Sequence, residues 1–162
     1  MHTAYIGLGS NLDNPARQIE RALEQLDTIE LTSLTATSRF YSTHPVGPQD
    51  QPDFINAAAR ISTALSPARL LSELKKIELQ QGRVKNRRWG ERVIDLDILL
   101  YDNLELDSEE LTIPHRELAN RDFVLKPLLD ICPSLHLPSG ALLGDLLENL
   151  PKEKQTIQWL ST

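Results

Sequence analysis

Two proline-led helix starts set the frame of this chain. Asn14-Pro15 and Ser66-Pro67 each put a capping residue before a proline at the first helical position, where the missing N–H has no intrahelical partner anyway. Behind the first, Ile19, Ala22, Leu23 and Leu26 recur at helical spacing, predicting a helix to about Leu26. Behind the second, Leu70, Leu71, Leu74 and Ile77 mark a buried face that ends near Gln81, with Gly82 as the stop. Strand-like segments flank both helices: Thr3–Gly9, Thr32–Ser42, Phe54–Thr63 and Val93–Tyr101.

The order is therefore β-α-β-β-α-β, the split βαβ or ferredoxin-like arrangement. The predicted class is α+β, with a mainly antiparallel sheet and both helices on one face. Beyond Tyr101, Pro114-His115 opens a turn or short helix, and Val124–Ile131 and Leu142–Asn149 read as short helices. Thr156–Leu160 reads as an edge strand. These additional C-terminal helices and strands are expected to cover the other face of the sheet. At 162 residues, with no repeat or linker, the chain is expected to form a single domain spanning 1–162.

The chemistry concentrates in RVKNRRWGERVIDLDILLY, residues 83–101. On a strand, residues i and i+2 share a face and lie roughly 6.5–7 Å apart. Asp95 and Asp97 therefore point together while Leu96 and Ile98 point away. Two close carboxylates repel unless a cation lies between them, and oxygen-only ligands favour Mg²⁺ or Mn²⁺ over zinc. An Asp-Leu-Asp triplet alone also occurs on plain surface strands, so its placement matters. Just upstream, Arg83, Lys85, Arg87, Arg88 and Arg92 stand against Glu91 alone, a local charge of +4 in a chain of net charge −6. A basic island in an acidic protein reads as a focused anion site rather than a nucleic-acid surface. Carboxylates for a divalent ion beside guanidiniums for phosphate oxygens point to nucleotide phosphoryl chemistry.

Other segments carry weaker signals. GLGSN at 7–11 starts like a dinucleotide fingerprint but has Leu12 where the third glycine belongs, and no Walker-type loop is present. Gly7 and Gly9 are thus read as sites of close backbone approach or packing. Asn56 shares a strand face with Phe54, and a buried carboxamide needs partners. A flat heterocycle stacked on an aromatic ring would supply them, whereas Phe54 and Phe123 by themselves read as core. The loop from Thr43 to Asp53 holds three prolines and a glycine and is expected to be irregular and stiff. His115, beside Arg116 and near Arg121, is either structural or a phosphate donor. Trp89, between Arg88 and Gly90, is either a latch on a closing loop or an exposed ring. The single cysteine, Cys132, excludes an internal disulfide and reads as an inert packed thiol. With no signal peptide and no long apolar run, a cytoplasmic location is the expectation.

Taken together, GLGSNL, FYSTHPVGPQDQPDFINAA from Phe40, IELQQGR from Ile77, RWGERVIDLDILLY and TIPHRELANRDFVLKPL from Thr112 resemble the 6-hydroxymethyl-7,8-dihydropterin pyrophosphokinase family of folate biosynthesis, in order and spacing, over nearly the whole chain. The resemblance implies pyrophosphate transfer from ATP to the hydroxymethyl group of the reduced pterin, with release of AMP. It implies two Mg²⁺ ions on Asp95 and Asp97. It makes Arg83 and Arg92 phosphate clamps, with Lys85, Arg88 and Trp89 on the loop over ATP. Glu78, Ile98, Thr112, His115 and Arg121 would line the nucleotide site. Asn56 would read the pterin edge between Phe54 and Phe123, with backbone groups around Thr43, Pro45 and Val46 completing the pocket. The implied partners are small molecules only, with no nucleic acid and no membrane, and the implied state is a monomer. The chain departs from the family pattern in a slightly shorter basic loop, in Glu110 and Arg116, and in His44 where proline is common. Two rival classes remain at this point: a nucleotide-sensing domain without catalysis, and a metal-dependent phosphohydrolase that needs no pterin.

Overall fold

A computed structural model describes residues 1–45, 50–82 and 92–151, together with the backbone of 157–159. The elements run β1 (His2–Ser10), α1 (Pro15–Leu26), β2 (Thr32–Thr37), β3 (Tyr41–Thr43), β4 (Phe54–Thr63), α2 (Pro67–Gln80), β5 (Asp95–Tyr101), β6 (Leu106–Asp107), β7 (Thr112–Ile113), α3 (Asp122–Ile131), α4 (Leu143–Glu148) and β8 (Ile157–Trp159). The main sheet is ordered β5-β1-β4-β3-β8, with β2 also paired to β4, and its described ladders are antiparallel. With β2 and β3 taken as one position, this is the ferredoxin-like order expected from βαββαβ.

Alternation along the strands sorts side chains into two cores. Ala4, Ile6 and Leu8 of β1 join Ala57, Ala59 and Ile61 of β4 beneath α1 and α2, with Ile19, Leu70 and Leu74 of those helices fully buried there. The opposite face takes Tyr5, Ala58, Leu99 and Leu100 under Leu125 and Leu128 of α3 and Leu143 of α4. The C-terminal helices thus cover the second face. Strand β5 serves both cores because its register slips. Tyr5 pairs with Leu100 but Ile6 pairs with Ile98, so Leu99 has no partner in the ladder. Such a bulge turns two successive residues to one side, which puts Leu99 and Leu100 together in the second core.

The structure corrects several sequence expectations. The strand expected at Thr32–Ser42 is two strands. Between the pairs Thr37–Ala59 and Tyr41–Asn56, one side advances four residues and the other three. Ser38 fills the break, its N–H donating to the Ala58 carbonyl and its Oγ accepting from the Ala58 N–H. The last core strand begins at Asp95 rather than Val93. Asn14 and Ser66 both stand at the N-cap positions expected, but only Ser66 caps with its side chain, accepting from the Arg69 N–H. Asn14 adopts a left-handed backbone (φ 65°), and the Gln18 carboxamide instead donates to the Asp13 carbonyl at 2.9 Å. Gly82 ends α2 at φ +96°, a conformation that favours glycine. The β6–β7 hairpin was not expected. The edge strand expected near 156–160 is β8, paired to β3.

Candidate active site

The site lies on the α3 face of the sheet, where β5, β1 and β4 run side by side. Their registers align in rows. Asp95 stands opposite Gly9 and Gly9 opposite Asn56; Asp97 stands opposite Gly7 and Gly7 opposite Ala58. The two residues between the carboxylates and β4 therefore have no side chains. This leaves a cleft of about 910 Å³, mouth included, floored by backbone. At ~4.8 Å per strand spacing, Asp95 and Asn56 are roughly 10 Å apart across it.

Each glycine has a distinct reason. A Cβ on Gly9 would sit 3.1 Å from Asn56 Oδ1, whereas one on Gly7 would press on the Leu99 side chain at 3.3 Å. Gly9 thus makes room for the carboxamide, and Gly7 for the bulged leucine. Asn56 is buried, and its Nδ2 donates to Thr43 Oγ1 at 2.8 Å. Since Thr43 is itself 2% exposed and pairs with Phe54 across β3–β4, the carboxamide is held in one plane.

Asp95 and Asp97 share the open face of β5 with Leu99, while Leu96 and Ile98 are buried on the helical side. The expected period-two geometry holds, and the Asp97 carboxylate remains 48% exposed. His115 Nε2 stands 4.0 Å from Asp97 Oδ2. His115 Nδ1 accepts the Glu117 N–H at 3.1 Å, so the proton of the neutral ring is on Nε2, the nitrogen nearer Asp97. Burial, seconded by the Arg121 guanidinium, pushes the His115 pKa below the ordinary imidazole value, against the carboxylates of Glu117 and Asp95. His115 is therefore a neutral donor near pH 7. Arg121 places its guanidinium carbon 5.5 Å from the centre of the Phe123 ring, within cation–π range.

The cleft brings together Thr43, Phe54, Asn56, Arg92, Asp95, Asp97, His115, Arg121 and Phe123. Four residues expected at the site do not line it. Glu78 lies on α2, beneath the other face, where Oε2 accepts the Leu96 N–H at 2.8 Å. Ile98, 2% exposed, belongs to the helical-side core because it alternates with the aspartates. Thr112 on β7 engages Asp107 and Arg116 through Oγ1. Pro45 is buried but does not line the cleft. Val46, Arg83, Lys85, Arg87, Arg88 and Trp89 lie outside the described residues. Lining residues not singled out from sequence include Leu8, Ala57, Leu99 and Val124, whose apolar character carries no signal of a site. His44 also lines the cleft, and its Nδ1 is 3.1 Å from Asp53 Oδ1.

Among the described residues, no three His, Cys, Asp or Glu side chains cluster as a metal cage. Two carboxylates on an open cleft fit Mg²⁺ all the same, because that ion is usually held by one or two carboxylates plus substrate phosphates and water.

Residues 5–133 match the family model described as 7,8-dihydro-6-hydroxymethylpterin-pyrophosphokinase (HPPK). The chain is 51% identical over 154 residues to the 2-amino-4-hydroxy-6-hydroxymethyldihydropteridine pyrophosphokinase of Haemophilus influenzae, covering 95% of this chain and 96% of that protein. It is 47% identical over 149 residues to the protein of the same name from Pseudomonas aeruginosa, covering 92% of each. Among solved structures, it is similar in fold to Plasmodium falciparum HPPK-DHPS with pteroate, at a TM-score of 0.70 and 17% identity over 91% of this chain. This chain spans 42% of that longer one.

Proposed function

The chain belongs to the HPPK family, and from that premise we infer that it transfers pyrophosphate from ATP to the hydroxymethyl group of 6-hydroxymethyl-7,8-dihydropterin in folate biosynthesis. The hydroxymethyl oxygen attacks the β-phosphorus. The bond from that phosphorus to the oxygen shared with the α-phosphorus breaks, AMP leaves, and the hydroxyl proton is released. The observation that carries this reading is the row Asp95–Gly9–Asn56, a carboxylate and a heterocycle-reading carboxamide opening on one cleft across a strand without side chains.

Asp95 and Asp97 would hold Mg²⁺, two ions in this reading, and the metal would supply positive charge to the ATP phosphates. Arg92 and Arg121 supply fixed positive charge to phosphate oxygens, and neutral His115 donates from Nε2. Asn56, held by Thr43, reads the polar edge of the pterin. Phe54 and Phe123 stack on its faces, which aligns the hydroxyl with the phosphorus. Arg83, Lys85 and Arg88 add cations to the nucleotide, and Trp89 closes over it. The molecule acts as a cytoplasmic monomer with a single pyrophosphokinase domain, without nucleic-acid or membrane partners. Its net charge of −6 supports the first exclusion, and no helix among the described residues is long and apolar enough to cross a membrane.

The test is product analysis with ATP, Mg²⁺ and the reduced pterin. AMP equal in amount to pterin diphosphate is expected. ADP would indicate single phosphoryl transfer, and nucleotide hydrolysis without pterin would indicate a phosphohydrolase; either refutes the reading.

A further inference from the structure

Asn11 sits just beyond β1, two residues past Gly9, and is 1% exposed. Its backbone N–H donates to the Arg92 carbonyl at 3.0 Å, and its Oδ1 accepts the Arg92 N–H at 2.8 Å. Its Nδ2 donates to the Pro52 carbonyl and to Gln51 Oε1, both at 2.9 Å. The orientation of the carboxamide is unambiguous, because the Arg92 N–H can only donate and the Pro52 carbonyl can only accept. Both N–H hydrogens are used, and Gln51 is itself buried.

One side chain thus joins three segments: the end of β1, the residues leading into β4, and the residues leading into β5. Arg92 lines the cleft on the phosphate side, and Phe54, two residues after Pro52, lines it on the heterocycle side. We propose that Asn11 is a positioning residue that sets the spacing between the two half-sites, and so the approach of the hydroxyl to the β-phosphorus. This rests on the pyrophosphokinase reading. Asn11 itself does not line the cleft. Each half-site keeps its own anchors, Thr43 for Asn56 and the β1–β5 ladder for Asp95 and Asp97. Loss of Asn11 should therefore misplace the two substrates relative to each other and leave each one's binding nearly intact. A misplacement of about 1 Å can lower a rate by ~100-fold.

Asn11→Ser removes every side-chain bond. Asn11→Asp keeps an acceptor for the Arg92 N–H but loses both donors toward Gln51 and Pro52. Gln51→Leu releases one arm only and serves if the Asn11 variants fail to fold, which thermal unfolding reports. Dissociation constants for MgATP alone and reduced pterin alone, with kcat from AMP release, separate the cases. Expected are binary affinities within ~3-fold of wild type and a kcat lower by ~10- to 100-fold for Asn11→Ser, with a smaller drop for Gln51→Leu. An unchanged kcat overturns the proposal. So does a loss confined to one substrate's affinity, which marks a local structural role. Wild-type protein that forms no pterin-dependent AMP defeats the functional reading and this role with it; active wild type with wild-type-like variants defeats this role alone.

Discussion

Replacing Gly9 with alanine probes the site through one atom. The new Cβ lies 3.1 Å from Asn56 Oδ1, about 0.3 Å inside the 3.4 Å at which ordinary contact begins. The strand backbone tolerates alanine, and glycine in a strand costs roughly 0.5–1 kcal/mol relative to alanine. That gain offsets the steric cost, so unfolding in urea should change by less than about 1 kcal/mol. The relief falls on the carboxamide, which must turn away from the plane that its 2.8 Å bond to Thr43 Oγ1 defines. Losing one net hydrogen bond to the pterin, about 0.5–1.5 kcal/mol, weakens pterin binding by about 2- to 13-fold. Titration calorimetry with the reduced pterin and, separately, with MgATP reads the two half-sites; nucleotide affinity should stay within about 2-fold. In an Asn56→Ala background Oδ1 is gone, so Gly9→Ala should have no further effect on pterin affinity. Unaltered pterin affinity in the single variant, or full additivity in the double, would refute the role assigned to Gly9.

Other perturbations bear on separate parts of the account. Asp95→Asn and Asp97→Asn keep shape but remove charge; each should lower kcat by at least about 100-fold without loss of fold, and a near-normal rate with an unchanged Mg²⁺ dependence would count against the metal assignment. His115 has its folded pKa below the ordinary 6.5, so the unfolded chain binds the proton first as pH falls. Its stability contribution is complete above about 6.5 and is lost as pH falls through the folded value. His115→Asn, which offers an oxygen to the Glu117 N–H, should flatten the fall in unfolding free energy between pH 7.5 and 5.5; parallel curves would contradict this. Burial, together with the neighbouring Asp130 carboxylate, pushes the Tyr41 pKa up to about 12, and its neutral hydroxyl donates to Asp130, which also pairs with Arg39 at 2.9 Å. Tyr41→Phe should therefore destabilise the fold by about 1.5–3 kcal/mol in urea titration; a change under 0.5 kcal/mol would show the bond to be incidental.

Helix positions and the β-α-β-β-α-β element order were legible because they depend on local periodicity, and the sheet class follows from that order. The two-strand split at Ser38 was not, because the extra residue exists only relative to β4. The Leu99 bulge was hidden for the same reason, although it decides which core Leu100 enters. At the site, Asp95 and Asp97 were legible through their period of two, and Asn56 with Phe54 likewise. By the same period the side chain of Ile98, a residue assigned by resemblance, lies beneath the sheet. Glu78 faced a similar limit: helical spacing alone does not tell that a buried carboxylate will cap the amide of a strand edge. Gly7 and Gly9 were visible as close approaches, but what approaches each depends on cross-strand register. The proton position on His115 follows from a turn that returns the Glu117 amide to its ring, a contact formed only in the fold.

The central claim is that one cleft holds the metal-bound phosphates and the pterin side by side, across two strand spacings. Mn²⁺ in place of Mg²⁺ makes this measurable, since it accepts the same oxygen ligands and broadens nearby nuclear resonances steeply with distance. With Mn²⁺, a non-reacting ATP analogue and the pterin bound to wild-type protein, the pterin protons should broaden as expected for a separation of roughly 10 Å or less, and the effect should vanish when Asp95 and Asp97 are both asparagine. Pterin resonances unaffected by Mn²⁺ while both ligands are bound would contradict the account.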